Sequence, residues 1–179
     1  MLVDRQALAA AFVGIGMAVT IGVSFLLVIP IEPIYWALSI PAGLLIGYYA
    51  NTRARRGRGE WLPILGNGLV SGLATGLTLA ILLLAVKALF FAADDGYRDA
   101  DAGSRLSCTP GADCVYQRYL LEQGDALRAA GITDAATFST FYWTQQWDTA
   151  GTLLAASTGF SLLGAALYGV TRPRRGEVK

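Results

Sequence analysis

Residues 62–91 read LPILGNGLVSGLATGLTLAILLLAVKALFF, thirty positions that carry a single charge, Lys87. A run this long and apolar exceeds the roughly 20 residues that a helix needs to cross the ~30 Å hydrocarbon layer of a bilayer. It is continuous rather than alternating, which predicts a helix, because a helix in lipid satisfies every backbone N–H and C=O within its own segment. Outward from this stretch lie three further apolar runs, at about 7–29, 34–50 and 149–171. The expected fold is an all-α membrane protein, a four-transmembrane-helix bundle. A small disulfide-stapled helical extracytoplasmic domain is expected between helices 3 and 4.

The bulk composition agrees with a lipid environment. The 179 residues are 54% hydrophobic and only 15% charged, with a mean hydropathy of +0.48, whereas ordinary soluble domains are about one-quarter charged. Arginine far outnumbers lysine, and alanine and glycine are abundant, a bias common in GC-rich bacterial genomes. The first run is longer than a signal-peptide core. Pro30-Ile31-Glu32-Pro33 and another apolar run follow it instead of a polar mature start, so a retained span is expected.

The expected organisation is helices 1–3 within 1–92, an arginine-rich loop at 51–60, an external insert at 93–148, and helix 4 with a basic tail at 149–179. Arginine placement gives the orientation. Arg53, Arg55, Arg56 and Arg58 lie in one loop, and Arg172, Arg174, Arg175 and Lys179 in the tail, so both are expected in the cytoplasm. Both termini then face inward, in the plasma (inner) membrane. The insert is acidic, with Asp94, Asp95, Asp99, Asp101, Asp113, Glu122, Asp125, Asp134 and Asp148 against Arg98, Arg105, Arg118 and Arg128. That balance suits a translocated loop.

The chain's two cysteines, Cys108 and Cys114, both fall in the insert and bracket the turn-forming Thr109-Pro110-Gly111-Ala112-Asp113. A structural disulfide is expected, and such a bond persists in an oxidising compartment. Redox chemistry is the competing reading, but reactive pairs have two intervening residues rather than five. Val115, Tyr116, Tyr119, Leu120, Leu127 and Ala130 recur at near-helical spacing, with Asp113 as the expected cap and Gly131 as the stop. Thr133 or Asp134 is expected to cap a second helix that runs on into span four. That helix carries Phe138, Phe141, Tyr142, Trp143 and Trp147, read as an interfacial belt with a small core, or as a partner or ligand surface.

Small residues repeat every four positions in each span. Gly68, Gly72, Gly76 and Ala80 form the longest such groove; Gly14, Ala18, Gly22, then Ser39, Gly43, Gly47, and Gly151, Ala155, Gly159 form the others. In lipid such grooves are where helix backbones meet. Close packing within one chain is expected, and span three is the first candidate for a second interface. Asn67, Ser71, Thr75 and Thr78 line a stripe beside its groove, read as packing contacts over a polar path. Pro41 is expected to bend span two. Lys87 lies about 36 Å of helix beyond Pro63, so its ammonium is expected at the outer headgroups, paired with Glu32. Asp94, Asp95 and Asp148 compete for it.

The composition also excludes chemistry. No histidine occurs, so a Ser-His-Asp triad is impossible and zinc or haem sites are disfavoured. No GxxxxGK phosphate loop is present. No cofactor, metal or nucleic-acid partner is expected; the arginine loop is expected to touch anionic lipid weakly. The layout of four spans with a large external loop resembles that of tetraspanins, although that family's Cys-Cys-Gly motif is absent. The expected function is a non-enzymatic accessory, assembly or scaffold protein acting on membrane lipids and on another membrane protein or a second copy of itself. A small oligomeric transporter or channel is the alternative, and a membrane enzyme the third reading.

Overall fold

The computed structural model describes residues 5–27, 32–57, 59–93 and 108–171. About nine-tenths of these are helical, and no strand occurs among them. The helices are α1 (Arg5–Leu27), α2 (Glu32–Ala54), α3 (Trp61–Ala93), α4 (Ala112–Ala129) and α5 (Ala135–Thr171). Two of them, α3 and α5, are long and apolar enough to cross a membrane, and α1 holds a shorter apolar stretch, Leu8–Val23. Helix α2 passes through Pro41 and continues beyond the expected end at residue 50, so Arg53 belongs to its last turn rather than to the loop. Helix α5 is one element of 37 residues, about 55 Å at 1.5 Å per residue.

Contacts divide the chain into two units, Met1–Leu83 with Ala150–Lys179, and Leu84–Thr149. The division between the units falls within α3, between residues 83 and 84. At 33 residues, α3 is about 50 Å long, well beyond a ~30 Å hydrocarbon layer, and its last ten residues pack within the second unit.

The first unit is held together by glycines that meet neighbouring backbones. A β-carbon at Gly47 would collide with the Ser161 carbonyl, and one at Gly164 with the Leu44 carbonyl; one at Gly43 would lie 2.9 Å from the Ser157 oxygen. From Gly43 at Ser157 to Gly47 at Ser161 the numbers rise together, so α2 and α5 run parallel. Against α3 the order reverses. A β-carbon at Gly68 would come within 2.7 Å of Ala165 Cβ, one at Gly72 within 2.7 Å of Ser161 Cβ, and one at Gly76 within 3.0 Å of Leu154 Cδ1. Helix α1 meets α3 through Gly14 at Thr75 and Gly22 at Leu82, again in parallel, and meets α2 through Gly14 at Ile46. The groove of Gly68, Gly72, Gly76 and Ala80 is thus no free surface: α5 of the same chain fills the part at the three glycines, and Ala80 is buried.

Polar side chains lie inside this unit. Asn51 donates to the carbonyls of Gly47 at 3.1 Å and Ile64 at 3.0 Å, and its Oδ1 accepts from Asn67 at 3.3 Å. Ser161 Oγ donates to the Gly68 carbonyl at 2.7 Å, across from α5 to α3. Ser71 and Thr75 donate to carbonyls of their own helix, at Asn67 (2.9 Å) and Ser71 (2.8 Å).

The glycine seams give a direct test. Gly47→Ala is expected to lower stability by roughly 1–3 kcal/mol through forced backbone displacement. Gly159, which meets nothing within 4 Å, is the control: Gly159→Ala is expected to be neutral or to add up to about 1 kcal/mol by removing helical glycine. Thermal unfolding of the purified variants reads both; equal effects would remove the packing role assigned to Gly47.

Candidate functional site

In the second unit, α4 starts from Gly111, whose φ of +138° is open to glycine alone among ordinary residues. Asp113, the expected cap, makes no capping hydrogen bond, because Gly111 takes that position and Asp113 falls inside the first turn. There its charge still favours the positive helix end. Cys114 follows, 1% exposed, and is disulfide-bonded to Cys108 with Cα atoms 5.4 Å apart. Gln123 leaves helical geometry at φ −134°, ψ 27° and interrupts α4.

The far end of α4 closes by two crossed bonds. Ile132 N–H donates to the Leu127 carbonyl and Gly131 N–H to the Arg128 carbonyl, both at 3.0 Å, with Gly131 at φ +73°. This is a Schellman closure, and its usual apolar contact is present because Leu127 and Ile132 share one core. Asp134 then caps α5: its Oδ1 accepts from Ala136 N at 2.9 Å, Thr137 N at 2.8 Å and Thr137 Oγ1 at 3.1 Å. The backbone and hydroxyl of Thr137 hold this carboxyl below its ordinary range.

These ends bring two helices onto a small aromatic core. Val115, Leu127, Ile132, Phe138 and Tyr142 are buried, with Phe91, Tyr116, Tyr119, Leu120 and Trp143 packed around them. Ring centroids lie 4.9 Å apart for Phe91 and Tyr142, and 5.0 Å for Tyr119 and Phe138. The Tyr142 hydroxyl donates to the Lys87 carbonyl at 3.4 Å. The five aromatics read together from the sequence therefore separate. Phe138 (0% exposed) and Tyr142 (4%) are core and are corrected as surface residues, whereas Phe141 (38%) and Trp147 (63%) face outward. Helical periodicity is the reason: the buried stripe steps through 138, 142, 146 and 150, and residue 141, though near 138, lies about 100° from 142 at the stripe's edge.

Lys87 is half-buried at the α3 end of this unit. Glu32 opens α2, but its side chain, like Asp94 and Asp95, lies outside the described residues, and so does the expected Glu32–Lys87 pair.

At the other candidate surface, the α2–α3 turn, the arginines have distinct surroundings. Arg53 and Arg55 are exposed. Arg56 Nη1 donates to Glu60 Oε2 at 3.1 Å, and its carbonyl accepts from the Tyr168 hydroxyl at 2.9 Å. Arg58 lies outside the described residues. Sequence reasoning missed Asn51 and Tyr168, the two buried residues that hold this turn; the signal was a polar side chain beside, and a phenol within, an apolar run.

Among the described residues no three His, Cys, Asp or Glu side chains converge as metal ligands. Compared with models of known families, with curated proteins and with solved structures, the chain matches none.

Phe138→Ala is expected to destabilise the second unit by about 3–5 kcal/mol, as for a fully buried phenylalanine, while Trp147→Ala changes it by less than about 0.5 kcal/mol. Near-ultraviolet circular dichroism during denaturation separates the two. The Asp134 carboxyl, depressed when folded, contributes stability that is present above its unfolded value and is lost as pH falls through the folded one. Acidification below about pH 4 should therefore weaken the start of α5, and Asp134→Asn should remove that increment, as read by amide exchange at residues 135–138.

Proposed function

We propose that this chain is a small integral membrane accessory, assembly or scaffold protein. Its four apolar helical segments form a four-transmembrane-helix bundle, and it acts through protein and lipid contacts rather than catalysis. The observation that carries the reading is the inverted polarity of the first unit. Asn51, Asn67, Ser71, Thr75 and Ser161 are 0% exposed, while Phe12, Leu62 and Leu45 are 74, 69 and 62% exposed. Water would penalise both halves of that distribution. Hydrocarbon reverses the sign: exposed leucines are solvated by lipid tails, and interior hydroxyls bond helix to helix.

Helix directions support the orientation. Since α1 parallels α3 and α2 parallels α5, the start of α1, the arginine turn and the end of α5 lie at one end of the first unit. That end carries Arg5, Arg53, Arg55 and Arg56 and leads into the basic tail, which favours the cytoplasm. The Cys108–Cys114 bond supports an extracytoplasmic place for the insert, and Phe141 and Trp147 are the side chains there that suit another membrane protein or a second copy. The polar stripe of Asn67, Ser71 and Thr75 gives an oligomeric channel no support, because it faces this chain's own helices.

Topology and partnership can be tested in one preparation. With both native cysteines replaced by serine, a cysteine at position 141 is expected to react with an impermeant maleimide on intact cells. One at position 53 should react only after permeabilisation. Gentle nanodisc purification of the same membranes is expected to carry a stoichiometric second subunit. Labelling at position 53 from outside would overturn the orientation, and a monodisperse solitary monomer would overturn the accessory role.

A further inference from the structure

We propose that the α2–α3 turn is a built site for anionic phospholipid headgroups, in which Arg53 and Arg55 face the phosphate and Arg56 does not. The proposal rests on the membrane reading above and names the lipid class that its cytoplasmic face takes.

The turn is fixed rather than loose. Arg55 N–H donates to the Thr52 carbonyl at 3.2 Å and Arg56 N–H to the Asn51 carbonyl at 3.4 Å, a Schellman closure of α2. Asn51, fully buried, ties the same turn of α2 to the Ile64 carbonyl on α3. Tyr168, 0% exposed, holds the Arg56 carbonyl from α5. Three helices thus converge on one short connection.

The left-handed position of this closure is normally glycine, yet here it is Arg55, at φ +51°. It is the only non-glycine residue with positive φ among the described residues. An L-residue accepts that conformation at a cost, so backbone geometry alone would favour glycine. A side-chain role is the physical reason to place arginine there, since backbone strain of this kind collects at ligand sites.

The neighbouring charges sort themselves. Glu60 engages Arg56, which leaves Arg53 and Arg55 as exposed cations, and no described carboxylate pairs with either in an ion pair. Arg53 sits in the last turn of α2, where the helix carbonyls favour cations. Two guanidiniums can present forked N–H donors to phosphate oxygens, which an ammonium cannot match. Tyr48, Tyr49 and Trp61 are 41, 39 and 43% exposed around the turn, amphipathic rings of the kind that settle among headgroups. Charge complementarity and this aromatic flank together point to the anionic leaflet surface.

The decisive variant is Arg53→Gln with Arg55→Gly, because glycine relieves the left-handed backbone while removing the cation. Protein is reconstituted in nanodiscs of phosphatidylcholine, or of an equal mixture of phosphatidylcholine and phosphatidylglycerol. Native mass spectrometry then counts the lipids retained. The wild-type chain is expected to retain phosphatidylglycerol preferentially, and the double variant to lose about thirty-fold of that preference with no fall in its unfolding midpoint. Arg56→Gln should keep the preference and lower the midpoint. Equal retention of both lipids by the wild type, or an undiminished preference in the double variant, would overturn the proposal. So would displacement of the lipid by millimolar inorganic phosphate or by a short RNA. Failure to enter either nanodisc would instead strike the membrane reading itself.

Discussion

Backbone-to-backbone contact between α5 and its neighbours is the constraint on which the first unit depends. Gly47 admits the Ser161 carbonyl and Gly164 admits the Leu44 carbonyl, so neither helix can carry even a methyl group at the seam. Glycine in a helix interior costs about 1 kcal/mol relative to alanine, and repeated use of it is offset only where close approach yields contact area and hydrogen bonds. Both follow here. The approach of α5 to α3 places Ser161 Oγ on the Gly68 carbonyl, and Asn51 and Asn67 meet where α2 and α3 draw together. Without the glycines of α3 the Ser161 hydroxyl would be held too far from the Gly68 carbonyl to reach it.

The second unit is stabilised differently, by local devices that each close a short stretch of chain. A disulfide spans six residues, a Schellman turn ends α4, and Asp134 caps α5 three residues later. The aromatic core is built from residues separated mainly by those closures. This economy suits a small unit whose core would be marginal alone. It also leaves Phe141, Trp147 and Leu121 outside the core, available to whatever lies beside them.

Much of this was legible in the sequence because it depends on local periodicity. The continuous runs, Gly131 as a stop, Asp134 as a cap, and the passage of the aromatic helix into the last apolar run are one-dimensional signals. Pairings were not legible. All four apolar runs carry small-residue grooves, so the sequence does not say that α5 fills the groove of α3 while Gly151 and Gly159 meet nothing. Asp113 misled because a glycine two residues earlier competes for the same cap. The distinct surroundings of Arg53, Arg55 and Arg56 were equally hidden, since they depend on Glu60 beside them and on Tyr168 more than a hundred residues away.

In the bilayer setting proposed above, the inverted interior also gives the chain two opposite grammars of substitution. Along the seams, positions such as Gly47, Gly72 and Gly164 read volume: a single added methyl group already meets a neighbouring helix. On the outward faces, positions such as Phe12, Leu45 and Leu163 read polarity: they accept isoleucine for leucine or phenylalanine for methionine and reject a charge. A soluble protein of the same size applies the first criterion to apolar cores and neither criterion to most of its surface. Here few positions in the helical runs are neutral, and neighbouring residues on one turn obey contrary rules.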